Sequence, residues 1–184
     1  VPKVIKCEAA AKSWTRLIWG LWLSSLRITE LLELTWDDPT GIRVDLDGDY
    51  PALIIPSENE KGKENRIIPI PPDCAALFNQ TPSTQRTGRV FKLVAQRRKE
   101  TSPSNMQYVS SVLSRIGKEA KIVVGRYPAK GTVKYASAHD LRRSAGRRWA
   151  RQVRNILDLQ SLMRHKDIRT TRKYYAHEEA ADLA

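Results

Sequence analysis

The segment from His139 to Tyr175 constrains the fold more than any other, because two periodic signals coincide in it. Leu141, Ala145, Trp149, Val153 and Ile156 form an apolar stripe at helical spacing, so the pattern predicts almost continuous helix. The rest of the segment carries eleven Lys or Arg against three Asp, a local excess of eight out of a net +12 for the whole chain. Few acids stand at i,i+4 positions to neutralise those cations, so this helix packs on one side and offers positive charge on the other. A surface of that kind attracts polyanions at long range, and nucleic acid is the first partner it implies, ahead of acidic proteins and membrane surfaces.

A chain of 184 residues with 41% apolar content has the length and composition of one domain with a buried core. The longest apolar run, Leu17 to Leu26, is ten residues between Arg16 and Arg27. A bilayer span needs about 20, so it reads as a core helix segment and no membrane partner is expected. Cys7 and Cys74 are isolated thiols without metal-ligand or redox spacing, and the N-terminal residues lack a secretory pattern, which points to a reducing, cytoplasmic setting. Apolar spacing from about Ala9 to Leu34 predicts two helices broken near Ser24-Ser25, whose hydroxyls can cap the second. Three short β-branched runs follow, at Ile42–Asp47, Ala52–Ile55 and Arg66–Ile70, and predict an antiparallel meander. Asp73–Gln80 reads as a short helix, Ser104 as the cap of a helix carrying Met106, Val109, Leu113 and Ile116, and Gly125–Ser137 as loop. The expected fold class is mainly α with a small antiparallel β-meander.

Four segments, taken in order, resemble the boxes of one known family. These are SSLRITELLELTW around Arg27, EKGKENRIIPIP around Lys61, HDLRRS from His139, and LMRHKDIRTTRKYYAH from Leu162. Together they resemble the catalytic domain of a tyrosine recombinase of the phage integrase family, over Arg27 to Tyr174. The resemblance implies DNA breaking and rejoining through a 3′-phosphotyrosyl link, with no cofactor, metal or ATP. It also implies four protomers acting on two duplexes, with a segment past the tyrosine exchanged between neighbours. By family position Arg27 and Arg142 clamp the phosphate, Lys61 protonates the leaving 5′ oxygen, and His165 hydrogen-bonds the transition state. Lys63 is the alternative to Lys61. Two departures stand out: Ser25 replaces the glycine usual before Leu-Arg, and Arg164 replaces the glycine usual before His165. The family's N-terminal core-binding domain has no counterpart in these residues, so residues 1–184 read as a single catalytic domain.

The same chemistry follows from residue types. Cleaving a phosphodiester with a side chain needs a nucleophile, charge on the nonbridging oxygens and a proton for the leaving oxygen. A phenol of pKa about 10 is ionised in about one molecule per thousand at neutral pH, so it needs a base or a cationic setting. Tyr174, among Arg169, Arg172 and Lys173, has such a setting. Tyr174 lies nine residues past His165, the family spacing, whereas the letters Tyr-Ala-His that follow the nucleophile in many relatives start at Tyr175. Adjacent residues on a helix point about 100° apart, so one phenol faces the phosphate and the other, expected to be Tyr175, faces the core. His139 and Arg142, three apart, share a helical face, and His139 can serve as general acid or base. Arg27 could alternatively be a surface residue paired with Glu30. Arg143, Arg147, Arg164, Lys166, Arg169 and Arg172 are the expected contacts to double-stranded DNA. A DNA-binding regulator without chemistry and a type IB topoisomerase are the rival functions.

Overall fold

The apolar run lies inside helix α1 (Glu8–Ser24) of a computed structural model, which describes residues 1–59, 65–95, 105–127 and 131–181. Trp14, Leu17 and Leu21, at i, i+3 and i+7, turn inward and are buried. Burying each contributes about 1.5–3 kcal/mol. They meet the core where α1 packs on α3 (Pro72–Asn79) and α5 (Ala138–Ala150). Gly20 is required by a close approach, because a Cβ there would lie 2.3 Å from the Phe91 ring. The helix ends at Ser25, which takes a left-handed backbone with φ 54°.

Helix α2 (Ile28–Glu33) begins differently from the expected serine cap. Ser24 Oγ donates back to the Gly20 carbonyl (2.7 Å) and accepts from the Leu26 N–H (3.2 Å), so it finishes α1. The start of α2 is held by the Arg27 N–H donating to Glu30 Oε2 at 2.7 Å. The meander is present as expected: β1 (Arg43–Asp45), β2 (Ala52–Ile55) and β3 (Arg66–Pro69) form an antiparallel sheet in that order. Val44, Leu53 and Ile68 are direct cross-strand partners and all three are buried, which fixes the register. Lys61 and Lys63, in the β2–β3 connection, lie outside the described residues.

Two expectations are corrected in the middle of the chain. Asn105 caps α4 (Met106–Glu119), its side chain accepting from the N–H groups of Gln107 (2.8 Å) and Tyr108 (3.4 Å); Ser104 lies outside the described residues. β4 (Val123–Tyr127) runs into the expected loop Gly125–Ser137 and β5 (Thr132–Tyr135) lies within it, the two paired antiparallel. The Val123-Val124 and Thr132-Val133 pairs favour strand, a signal masked by the Gly and Pro residues among them.

The expected continuous C-terminal helix is three: α5, α6 (Ile156–Met163) and α7 (Ile168–Ala181). Asn155 restarts the helix by accepting from the N–H groups of Leu157 (2.9 Å) and Asp158 (3.0 Å), and Arg164, with φ 53°, stops it. The stripe therefore holds through Trp149, while Val153 falls between helices and Ile156 opens the next. Trp149, Leu159, Met163 and Tyr175 form a second small core joining α5, α6 and α7. Among the described residues no helix is long and apolar enough to cross a membrane.

Candidate active site

Helix α5 is nucleated by a reciprocal cap: Asp140 accepts from the Ser137 N–H (3.1 Å) and hydroxyl (2.6 Å), and also from Lys134 Nζ (3.1 Å). That start places His139 in the first turn and Arg142 one turn on. Arg142 is 5% exposed, and its two terminal nitrogens donate to the carbonyls of Ser25 and Met163. Each carbonyl sits at the C-terminal end of a helix, at or next to a left-handed residue, so one guanidinium ties the ends of α1 and α6 together. Burial, and then repulsion by Arg27, push the Arg142 pKa down to about 10, which leaves it charged at neutral pH.

Glu30 is the anionic centre of this cluster. Its Oε1 accepts from Arg27 Nη1 at 2.7 Å, and its Oε2 is paired with the buried Arg164 guanidinium. Burial pushes Glu30 up, but the Arg164 ion pair and the bonds from Arg27 outweigh it, and its pKa lies below the ordinary value. Arg27 Nη2 also reaches the Arg164 carbonyl at 3.5 Å. Arg27 thus pairs with Glu30, the alternative open in the sequence, and does so beside Arg164 and Arg142.

His165 follows the left-handed turn and is held from three sides. Its N–H donates to the Gln160 carbonyl (3.1 Å), its own carbonyl accepts from Gln160 Nε2 (2.9 Å), and Nδ1 lies 3.0 Å from Thr171 Oγ1. Burial first, then Arg142, Arg27, His139 and Arg164, push its pKa down to about 4. His139 is lowered as well, by partial desolvation and then Arg143. Both imidazoles are neutral at pH 7. Because both bind protons more readily when the chain is unfolded, their contribution to stability is full above the unfolded pKa of 6.5 and falls as pH drops toward 4. The thermal midpoint should be level near pH 7–8 and decline from about pH 6.5 to 5, and His165→Gln should flatten the decline. A midpoint rising over that interval would contradict this reading.

The two tyrosines of α7 differ sharply. Tyr174 is half-buried, with the Arg143 guanidinium 4.6 Å from its ring centroid and Lys173 Nζ at 5.8 Å. Tyr175 is 2% exposed, stacks on His165 (centroids 6.4 Å apart, planes at 15°) and lies across Gly146, where a Cβ would meet its hydroxyl at 2.4 Å. Its pKa is raised by burial, against the lowering effect of Arg142, Arg143 and Arg147. The core orientation expected for Tyr175 is what the structure has. The cations against Tyr174 are Arg143 and Lys173 rather than the expected Arg169 and Arg172. Arg169 is engaged by Asp167 at 2.6 Å.

Arg27, Arg142, His139 and His165 therefore meet in one electrostatic cluster with Glu30 and Arg164. Of the expected DNA contacts, Arg147, Lys166, Arg169 and Arg172 are exposed and Arg143 is half-buried. Arg164 departs from the expectation, since its guanidinium is turned inward onto Glu30. Thr171 and Gln160, which position His165, carry no signal in the sequence that would single them out. Glu30, three residues after Arg27, is visible there only as a surface partner; its pairing with a second cation 134 residues further along is a tertiary fact.

The chain matches the model of the phage integrase family over residues 4–181. It belongs to that family. No curated protein matches it in sequence. Solved structures similar to this phage integrase family member include the XerH site-specific recombinase bound to palindromic difH substrate, at 17% identity and TM-score 0.61, covering 97% of this chain and 47% of that one. The Tn1549 transposon integrase in complex with circular intermediate DNA is 18% identical with TM-score 0.59, covering 98% and 61%. A lambda integrase dimer bound to a COC′ core site is 20% identical with TM-score 0.56, covering 88% and 51%. At these identities the likeness establishes the fold, that of a tyrosine recombinase catalytic domain. The chain spans about half to three-fifths of the length of those proteins.

Ser25 and Arg164, the two residues read in the sequence as standing in place of a glycine, both have left-handed backbones. An L side chain pays about 1–2 kcal/mol there, partly offset because glycine is more flexible when unfolded. Ser25→Gly should therefore stabilise the fold by about 0.5–1 kcal/mol, read as a midpoint rise of about 1–4 °C. A fall in midpoint would mean that the Ser25 side chain contributes more than its backbone costs.

Proposed function

We propose that this chain cleaves and rejoins DNA strands as part of a site-specific recombinase or integrase. In the cleavage step Tyr174 Oη attacks a backbone phosphorus, the P–Oη bond forms, the bond to the 5′ oxygen breaks, and a 3′-phosphotyrosyl link results. The phenolic proton passes to a neutral imidazole, with His139 in that role, while Lys61 gives a proton to the departing 5′ oxygen. Arg27 and Arg142 stabilise the negative charge that grows on the nonbridging oxygens. Two of the five N–H groups of Arg142 serve the Ser25 and Met163 carbonyls, which hold the guanidinium in place. His165, anchored through Nδ1, offers Nε2 to the same phosphate. The phosphotyrosyl link keeps the bond energy, so a 5′ hydroxyl from a second duplex reverses the step without ATP.

The observation that carries this reading is that Arg27, His139, Arg142 and His165, from three segments of the chain, lie within electrostatic reach of one another beside the partly buried Glu30–Arg164 pair in a member of this family. The exposed Arg147, Lys166, Arg169 and Arg172, with Arg143, supply the duplex contacts. The complex of the Tn1549 integrase with circular intermediate DNA supports DNA as the substrate. Assembly as a homotetramer with an exchanged C-terminal segment belongs to the same proposal. A second reading concerns the nucleophile alone: Tyr175, which stacks on His165 and feels Arg142, is the better-connected phenol in this structure.

Incubation with a duplex nicked just past the cleavage site, so that the short 5′-hydroxyl fragment diffuses away, should trap a protein–DNA adduct that survives denaturation, with chelator present and nucleotide absent. Tight duplex binding with no adduct would favour the regulator. An adduct with relaxation of supercoils but no strand exchange between duplexes would favour the topoisomerase.

A further inference from the structure

Arg164 is an arginine in a left-handed turn, with a side chain 2% exposed, at a position where a glycine would be free of strain. A cation so placed does nothing for a surface, and its guanidinium turns inward. It takes Glu30 Oε2, while Oε1 of the same carboxylate receives Arg27 Nη1 at 2.7 Å. The Arg164 carbonyl receives Arg27 Nη2 at 3.5 Å, and the preceding carbonyl, that of Met163, receives Arg142. We propose that Arg164 is a positioning residue for the phosphate clamp: it fixes Glu30 so that the Arg27 fork is aimed, from the same turn that anchors Arg142. This rests on the function proposed above and goes beyond it, since Arg164 is assigned neither to the phosphate nor to the duplex surface.

Charge supports the assignment. Without Arg164, the group formed by Arg27, Arg142 and Glu30 would carry one net positive charge. With Arg164 the cluster carries two, matching the two negative charges of a phosphodiester transition state. The carboxylate then aims Arg27 without cancelling the charge the reaction uses.

The test compares single-turnover adduct formation on the nicked duplex, at saturating DNA and well below each thermal midpoint, for the unsubstituted chain, Arg164→Gly, Arg164→Met and Arg164→Lys. Methionine keeps the aliphatic bulk without the charge, and glycine relieves the backbone, so the two bracket any folding defect. Positioning predicts a rate loss of about 10-fold to 100-fold in both neutral variants, partial recovery in Arg164→Lys, and an unchanged duplex Kd. It also predicts that Glu30→Gln is as slow and that adding Arg164→Met to it costs little more. Wild-type rates in folded Arg164→Met would reduce the pair to a purely structural one. A weaker Kd with a salt slope smaller by about 0.9 would make Arg164 a phosphate contact instead. If the unsubstituted chain forms no adduct, the proposed reaction fails, and this role with it; an adduct unaffected by these variants overturns the positioning role alone.

Discussion

Arg142→Ala is expected to abolish adduct formation on every duplex and also to destabilise the chain by about 2–3 kcal/mol. The double effect follows from its place. The guanidinium is at once the proposed clamp on the nonbridging oxygens and the donor to the Ser25 and Met163 carbonyls, which lose a buried partner in the variant. For a chain of this size that loss lowers the thermal midpoint by about 4–12 °C. Arg142→Lys separates the two roles, because an ammonium keeps the charge but lacks the planar fork that spans both carbonyls. It should recover part of the stability and little of the cleavage. Measuring midpoint and single-turnover rate on the same preparations decides the matter: a folded Arg142→Ala variant cleaving at the wild-type rate would remove Arg142 from the mechanism.

Much of this arrangement is legible in the amino-acid sequence. Helical spacing locates α1, α2, α3 and α4, and β-branched runs locate the three-stranded meander, because in each case one face is buried and the period records it. The family boxes name Arg27, His139, Arg142 and His165, which do come together. What the sequence conceals is tertiary. Nothing in the spacing of His139 to Ile156 shows that Asn155 restarts the helix, because the apolar period runs unbroken across the gap. The β4–β5 pair is hidden by Gly125, Pro128 and Gly131, which read as loop residues. Arg164 looks like one more surface cation in a basic stretch. Its inward turn depends on a left-handed backbone and on Glu30, 134 residues earlier in the chain. The departures from glycine at Ser25 and Arg164 are visible as letters, yet only the backbone shows that both occupy the conformation glycine tolerates best.

Two adjacent phenols compete for the role of nucleophile. Family spacing selects Tyr174, and burial agrees: Tyr175 is 2% exposed in the core of α5, α6 and α7, with its hydroxyl against Gly146, so a phosphate reaches it only if α7 moves. Tyr174 is half-buried, with the Arg143 guanidinium over its ring. Proximity to His165 and Arg142 pulls the other way. The most direct measurement digests the trapped adduct and identifies by mass spectrometry which tyrosine carries the nucleotide, with Tyr174→Phe and Tyr175→Phe trapped in parallel. The expected result is the nucleotide on Tyr174, no adduct from Tyr174→Phe, and an adduct from Tyr175→Phe with some loss of thermal stability. A nucleotide on Tyr175, with the adduct persisting in Tyr174→Phe and vanishing in Tyr175→Phe, would contradict the proposed mechanism.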